Sequence, residues 1–332
     1  MYNRNPPFEI TNAILEEIAE IAELVGHAAA SQALSAVPAL RRANRIRTIH
    51  SSLAIEQNTL SLEQVTAVLN GRQVIAPPRD IAEVKNAYEI YERMEALDPY
   101  SVDDLLLAHG VLTRGLLEES GCFRSGPAGV ADRHGNILQF GTLPDDVPGL
   151  VMELLDWVRS SEYHMLIKSC VFHYELELIH PFADGNGRIG RLWHTLLLTQ
   201  WKPLFAWLPV ESIIHDRQDE YYQAINRSNS EAASTAFIAF MLSAIREALL
   251  EAVQSGGKAP CDGAQRRAQI VQFLEQHGTI RNADVRELFA VSSATANRIL
   301  TGLAGAGALR KIRIGRSWGY VLPETHKTAG QD

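Results

Sequence analysis

Four side chains that can do chemistry recur at short spacing in one stretch: His180, Asp184, Arg188 and Arg191, with Gly185, Asn186 and Gly187 between the acid and the first arginine. An imidazole titrates near ~6.5, so at neutral pH it can take a proton from a hydroxyl. A carboxylate four residues later suits Mg²⁺, which commonly takes one or two carboxylates plus phosphate oxygens and water. Glycines let phosphate oxygens approach the main chain, and free N–H groups at the start of a following helix favour an anion. Two arginines three apart share a helix face and can clamp outer phosphates with charge-assisted bonds. The order of types is that of a polyphosphate grip with a proton acceptor beside it.

Two other readings of the stretch compete. Gly185 to Gly190 is formally GxGxxG, a dinucleotide fingerprint, but that pattern needs a buried strand before it and an acid about 20 residues later. The preceding His173 to Phe182 is too polar for a parallel strand, and the chain lacks βαβ alternation. No Walker lysine follows the glycines, so a P-loop is excluded. A plain helix–loop–helix turn would need Gly185 and Gly187 only at positive φ, and would leave the clustered His180, Asp184, Asn186, Arg188 and Arg191 incidental.

Helices must position these residues. Apolar spacing predicts helices over 10–25, 42–56, 81–97, 102–116, 148–158 and 163–179, a further helix starting at 60–64, two more flanking 203–209, and a last one over about 232–253. Ser61 and Gln64 have the spacing of a capping box. Residues 130–140 read as a hairpin turning at His134-Gly135-Asn136. Residues 255–263 read as a linker of small residues broken by Pro260. Beyond it the pattern predicts helices over 264–277, 282–289 and 293–304, then a ribbon over 308–322 turning at 315–317.

Residues 264–322 hold nine of the 31 Lys and Arg but only three of the 39 acids, a local charge of +6 on a body of −14. A basic module on an acidic body suggests a partner of its own. The 332-residue chain is long enough for two or more units. Its longest apolar run, 235–245, is far short of the roughly 20 residues a spanning helix needs, and the N-terminus lacks a signal-peptide pattern. A cytoplasmic location and no membrane partner are therefore expected. Cys122, Cys170 and Cys261 are scattered, with no zinc-type spacing.

Position for position, His180, Phe182, Asp184, Gly185, Asn186, Gly187, Arg188 and Arg191 resemble the signature HxFx(D/E)GNGRxxR of the Fic (filamentation-induced-by-cAMP) family. The similarity extends over roughly residues 1–253 and is closest to long bacterial forms. It implies a mainly α fold, a Fic-type helical core with a β-hairpin flap at 130–140. Residues 264–323 resemble a small α+β winged helix-turn-helix domain. The implied organisation is an N-terminal helical region over 1–100, a catalytic core over 101–254, a linker over 255–263 and the winged domain over 264–323.

The resemblance implies a nucleotidyltransferase, a protein adenylyltransferase (AMPylator) that moves AMP from ATP to a Ser, Thr or Tyr hydroxyl of a protein, itself included. It implies ATP and Mg²⁺, with His180 as general base and Asp184 as metal ligand. Gly185, Asn186 and Gly187 would form the anion hole, and Arg188 and Arg191 would hold the β/γ-phosphates. Tyr222 and Asn226, four apart on one helix face, resemble adenine-pocket residues, with plain core packing as the equal alternative for Tyr222. Ser52 and Glu56 resemble the family's inhibitory pattern (S/T)xxxE(G/N) on a helix over about 42–58, whose glutamate pairs with the second motif arginine, here Arg191. Gln57 departs from that pattern, and a differently shaped helix end is expected there. Removal of AMP by the same site, or nucleotide sensing by a transcriptional regulator, are the rival functions. In the winged domain Ser293, Thr295, Asn297 and Arg298 would face a DNA groove, with Lys311, Arg313 and Arg316 on the wing. DNA, another protein and a second copy of the chain remain open as its partner.

Overall fold

The computed structural model describes residues 5–31, 38–127, 129–131, 137–140, 142–254, 263–289, 291, 293–314 and 317–323. Eleven helices form the body: α1 (Asn12–Ser31), α2 (Pro38–Ile55), α3 (Leu62–Leu69), α4 (Pro78–Arg93), α5 (Val102–Leu112), α6 (Val147–Ser160), α7 (Met165–Ile179), α8 (Asn186–Trp201), α9 (Val210–Asp216), α10 (Gln218–Glu231) and α11 (Thr235–Gln254). The expected helices are all present, with ends moved by a few residues. Ser61 and Gln64 make the capping box that their spacing predicts, each satisfying a free N–H at the start of α3. Pro78 opens α4 at a position where a missing N–H costs nothing.

Helices α7 and α8 are buried on nearly every side, so they pair at the centre and the amphipathic helices wrap them. One apolar core runs from Ile14 to Leu249, so residues 1–100 and 101–254 share a single packing unit. Strands β1 (Gly129–Ala131) and β2 (Ile137–Phe140) pair antiparallel, with Gly129 opposite Phe140 and an irregularity after Val130. The hairpin turn at 134–136 and most of the 255–263 linker lie outside the described residues. Among the described residues, no helix is long and apolar enough to cross a membrane.

A second, smaller core of Ile270, Leu274, Ile280, Val285, Ala296, Leu300, Leu309 and Tyr320 belongs to the C-terminal module. Its helices are α12 (Gly263–His277), α13 (Asn282–Phe289) and α14 (Ser293–Gly305). Its ribbon is β3 (Arg310–Ile314) paired antiparallel with β4 (Ser317–Val321), and Ile280 bonds to Tyr320 as a third edge. Helical core, helix-turn-helix and small hairpin therefore match the fold class expected from the sequence. The four residues expected to face a groove have different surroundings. Thr295 and Arg298 engage the body, while Ser293 and Asn297 are hydrogen-bonded to Asn282.

Candidate active site

The motif sits where α7 hands over to α8. His180 caps α7 in the left-handed region, φ 51°, with its N–H on the Leu176 carbonyl at 2.9 Å. The loop is closed by Asn186, whose side chain accepts from Phe182 N–H and donates to Phe182 C=O, both at 2.9 Å. Any role of Asn186 toward an anion therefore falls to its backbone N–H. Gly185 adopts φ 90°, which favours glycine, whereas Gly187 does not need a positive φ. Gly187 leaves room for Glu56: a Cβ there would force the Glu56 carboxylate to shift and would press on Arg191 at 3.0 Å.

Other helices fix this loop. Phe182 is fully buried and stacks on the His109 ring at 3.9 Å. His109 Nδ1 accepts from Gly121 N–H at 3.1 Å, so Nε2 carries the proton and donates to the Asp184 carbonyl at 3.0 Å. Burial lowers the His109 pKa, which keeps that neutral tautomer. Arg124 Nε donates to the His180 carbonyl at 2.7 Å and its backbone N–H to the Pro181 carbonyl at 3.0 Å. The same guanidinium reaches Gly126 and Thr142 at the base of the hairpin. Burial also lowers the His180 pKa, against a partial opposing pull from the Glu177 carbonyl, so the imidazole is neutral and able to accept a proton at pH 7.

The two motif arginines have different partners. Arg188 is 5% exposed and lies between Asp184 Oδ1 at 3.1 Å and Glu83 Oε1 at 3.4 Å. It is turned away from the cavity. Asp184 Oδ1 also accepts from Gly185 N–H, and its Oδ2 pairs with the exposed Arg79 at 3.1 Å. Among the described residues no group of three His, Cys, Asp or Glu could hold a metal by itself. A single half-exposed carboxylate still fits Mg²⁺ brought in by a nucleotide, because such ions draw most of their ligands from phosphate and water.

Arg191 is 1% exposed and is held by α2 at three points. Its Nε donates to Ser52 Oγ at 3.0 Å, and its Nη2 donates to the Ser52 carbonyl at 2.9 Å and Glu56 Oε1 at 2.8 Å. Burial opposes its charge, but Glu56, Tyr221 and Glu177 outweigh burial and raise its pKa. Beside it Glu177 is pushed up to about 7, first by burial and then by Glu56, with Arg191 opposing. The end of α2 that presents Glu56 is a Schellman turn: Asn58 N–H bonds to Leu53 C=O and Gln57 N–H to Ala54 C=O. Gln57 takes φ 68° there. The expected departure at Gln57 is thus corrected, since the helix end keeps the left-handed shape that Gly or Asn would favour and the strain falls on Gln57.

A cavity of about 180 Å³ is lined by His180, Asp184, Gly185, Asn186, Gly187, Arg191, Tyr222 and Glu56, with Glu177, Ala183, Tyr221 and Ile225. Ser52 lies behind Arg191 and Asn226 is exposed off the cavity, so Ile225 takes the wall place expected of Asn226. Reading the sequence missed His109, Arg124, Glu83, Arg79 and Glu177. The first four come from other helices or loops, at positions with no periodic signal; Glu177 stands three residues before His180 and could have been found from that spacing.

The Fic/DOC family profile matches residues 99–198, and a DeoR-like helix-turn-helix profile matches residues 266–316. A crystal structure of a Fic family protein from Desulfovibrio desulfuricans G20 is 42% identical over 99% of this chain and 100% of that one, with a TM-score of 0.73. The chain belongs to the Fic family. This Fic protein is also 30% identical over 196 residues to the protein adenylyltransferase fic-1 of Caenorhabditis elegans, and 28% identical over 193 residues to the protein adenylyltransferase Fic of Nematostella vectensis. Each match covers 54% of this chain, and the matched region spans 36% and 42% of those relatives.

Proposed function

We propose that this Fic protein transfers AMP from ATP to a hydroxyl side chain of a protein, and that Glu56 holds it inactive. The observation that carries the reading is the threefold hold of Ser52 and Glu56 on Arg191, in a cavity that also contains His180, Asp184 and Gly187. His180 takes the proton of the attacking hydroxyl. The hydroxyl oxygen bonds to the α-phosphorus of ATP, the bond from that phosphorus to the bridging oxygen breaks, and pyrophosphate leaves. The N–H groups at the start of α8 face the phosphates, and Arg191, once free, binds the outer ones. Mg²⁺ held by Asp184 would neutralise phosphate charge. Arg124 and His109 act only by fixing the loop that carries His180 and Asp184. While Glu56 occupies Arg191, the outer phosphates lose that contact and the α-phosphorus is not presented to the hydroxyl.

The test is incorporation of labelled AMP, from ATP and Mg²⁺, into the protein itself or into lysate proteins. Glu56→Gly labels more than the unaltered chain, and His180→Ala lowers the labelling of the Glu56→Gly protein by ~10²–10⁴-fold. Equal labelling with and without Glu56 would sink the inhibitory half. Release of AMP from a modified target by the chain with Glu56 intact would favour AMP removal instead.

A further inference from the structure

The helix-turn-helix module and the active-site body meet at one cluster. Thr295 Oγ1 on α14 donates to Glu251 Oε1 on α11 at 2.7 Å, and Thr295 is 4% exposed. Arg298, three residues on and on the same face, pairs with Asp216 at the end of α9. Glu251 also pairs with Arg47 on α2 at 3.8 Å, and the His50 and His215 rings lie 6.2 Å apart beside it. In a helix-turn-helix the N-terminal residues of the second helix enter the major groove. Here two of those residues, Thr295 and Arg298, face carboxylates of the body, while Ser293 and Asn297 stay exposed. The wing is left outside: Trp318 is exposed, with Lys311 and Arg313 over its ring.

We propose that the body and duplex DNA compete for the same face of α14, with Asp216 and Glu251 standing where DNA would present phosphates and base acceptors. The charge distribution favours a polyanion as competitor, because the module is +6 and its two engaged side chains already select acidic partners. The two occupants exclude each other at Thr295 and Arg298, whose side chains cannot hold Glu251 and Asp216 and a phosphate or base edge at once. Arg298 is 46% exposed although Asp216 is 9% exposed, so the arginine side of the pair is open to a competing phosphate array. The inference is independent of the transfer chemistry, so either can fail alone.

The experiment titrates a fluorescent random-sequence duplex with the full chain at ~50 mM salt, where phosphate contacts are strongest. The Asp216→Ala/Glu251→Ala double variant, altered only in the body, is expected to bind at least about tenfold tighter than the unaltered chain. Equal affinity of the two proteins, or no binding by either, overturns the proposal. Because the double variant could lose folded structure, hydrogen exchange on the unaltered chain supplies a second readout. Duplex DNA is expected to slow exchange in Ser293–Gly305 and to speed it in Val210–Asp216. Slowing in α14 with no change in α9 would mean that the helix was already free, and would overturn the proposal.

Discussion

Helix α2 is engaged at two places, and they obey different physics. At its C-terminal end Ser52 and Glu56 hold Arg191, a guanidinium 1% exposed, through three hydrogen bonds. Two turns earlier Arg47 and His50 border the Glu251, Asp216 and Arg298 cluster, where Arg298 is 46% exposed. Both contacts set an arginine against a carboxylate. Burial of the guanidinium and added hydrogen bonds make the first specific and resistant to salt; in the second the carboxylate is the buried partner, 9% exposed, and the arginine is open to solvent and competing anions. The motif end should therefore respond to nucleotide and to mutation, and the module end to ionic strength and pH.

The largest effect should come from breaking the buried end. Glu56→Gly removes a charge-assisted bond of about 1.5–3 kcal/mol, so AMP transfer should rise ~10–100-fold in initial-rate assays. Asp216→Ala should change the same rate by less than about threefold, because Asp216 neither holds Arg191 nor lines the cavity. Comparable rises in both variants would break the distinction between the two ends.

The module end should be the acid-sensitive one. His50 is lowered to about 4, first by burial and then by His215 and Arg298, with Glu63 opposing. A histidine whose folded pKa lies below its unfolded value leaves the folded state with fewer bound protons. Its stabilising contribution is therefore complete above about pH 6.5 and is lost as the pH falls toward 4. By pH 5 the loss should reach about 2 kcal/mol, so urea unfolding of His50→Gln should show a correspondingly shallower fall between pH 7.5 and pH 5. Identical slopes for the two proteins would remove His50 from the account.

How far these regions could be read beforehand follows the same division. The motif was legible because His180, Asp184, Gly187, Arg188 and Arg191 lie in one segment, where spacing translates directly into a helix end. Ser52 and Glu56 were legible through their i, i+4 spacing only once a family pattern supplied the partner. Arg124, His109 and Glu83 were not, since each is a single polar residue on an element far away in sequence, and only packing brings it to the loop. The pairing of Arg298 with Asp216 was equally hidden. The module's charge pointed outward to a partner, and nothing in its periodicity showed that the body itself supplies the acids.

Within the buried end, Ser52→Ala should release less than Glu56→Gly. It deletes the hydroxyl that accepts from Arg191 Nε and also meets the Tyr91 hydroxyl, and leaves the Ser52 carbonyl and Glu56 in place. The bond runs from a charged guanidinium to a neutral hydroxyl, at the low end of about 1.5–3 kcal/mol, so transfer should rise by roughly tenfold. An effect as large as that of Glu56→Gly would mean that the serine, rather than the carboxylate, carries the hold.

The smallest effect tests the frame of the hold. Gln57 sits at φ 68° in the Schellman turn that aims Glu56, a conformation costing an L-residue roughly 1–2 kcal/mol. Glycine escapes that cost but gives the unfolded chain about 0.5–1 kcal/mol of extra entropy. The difference favours Gln57→Gly by about 0.5 kcal/mol, a rise of ~1–2 °C in Tm by calorimetry. Because the substitution steadies the turn without touching Arg191, basal AMP transfer should fall slightly or stay level. A rise in transfer would mean that the strain at Gln57 helps to aim Glu56 at Arg191, and that relaxing the turn loosens the very contact it presents.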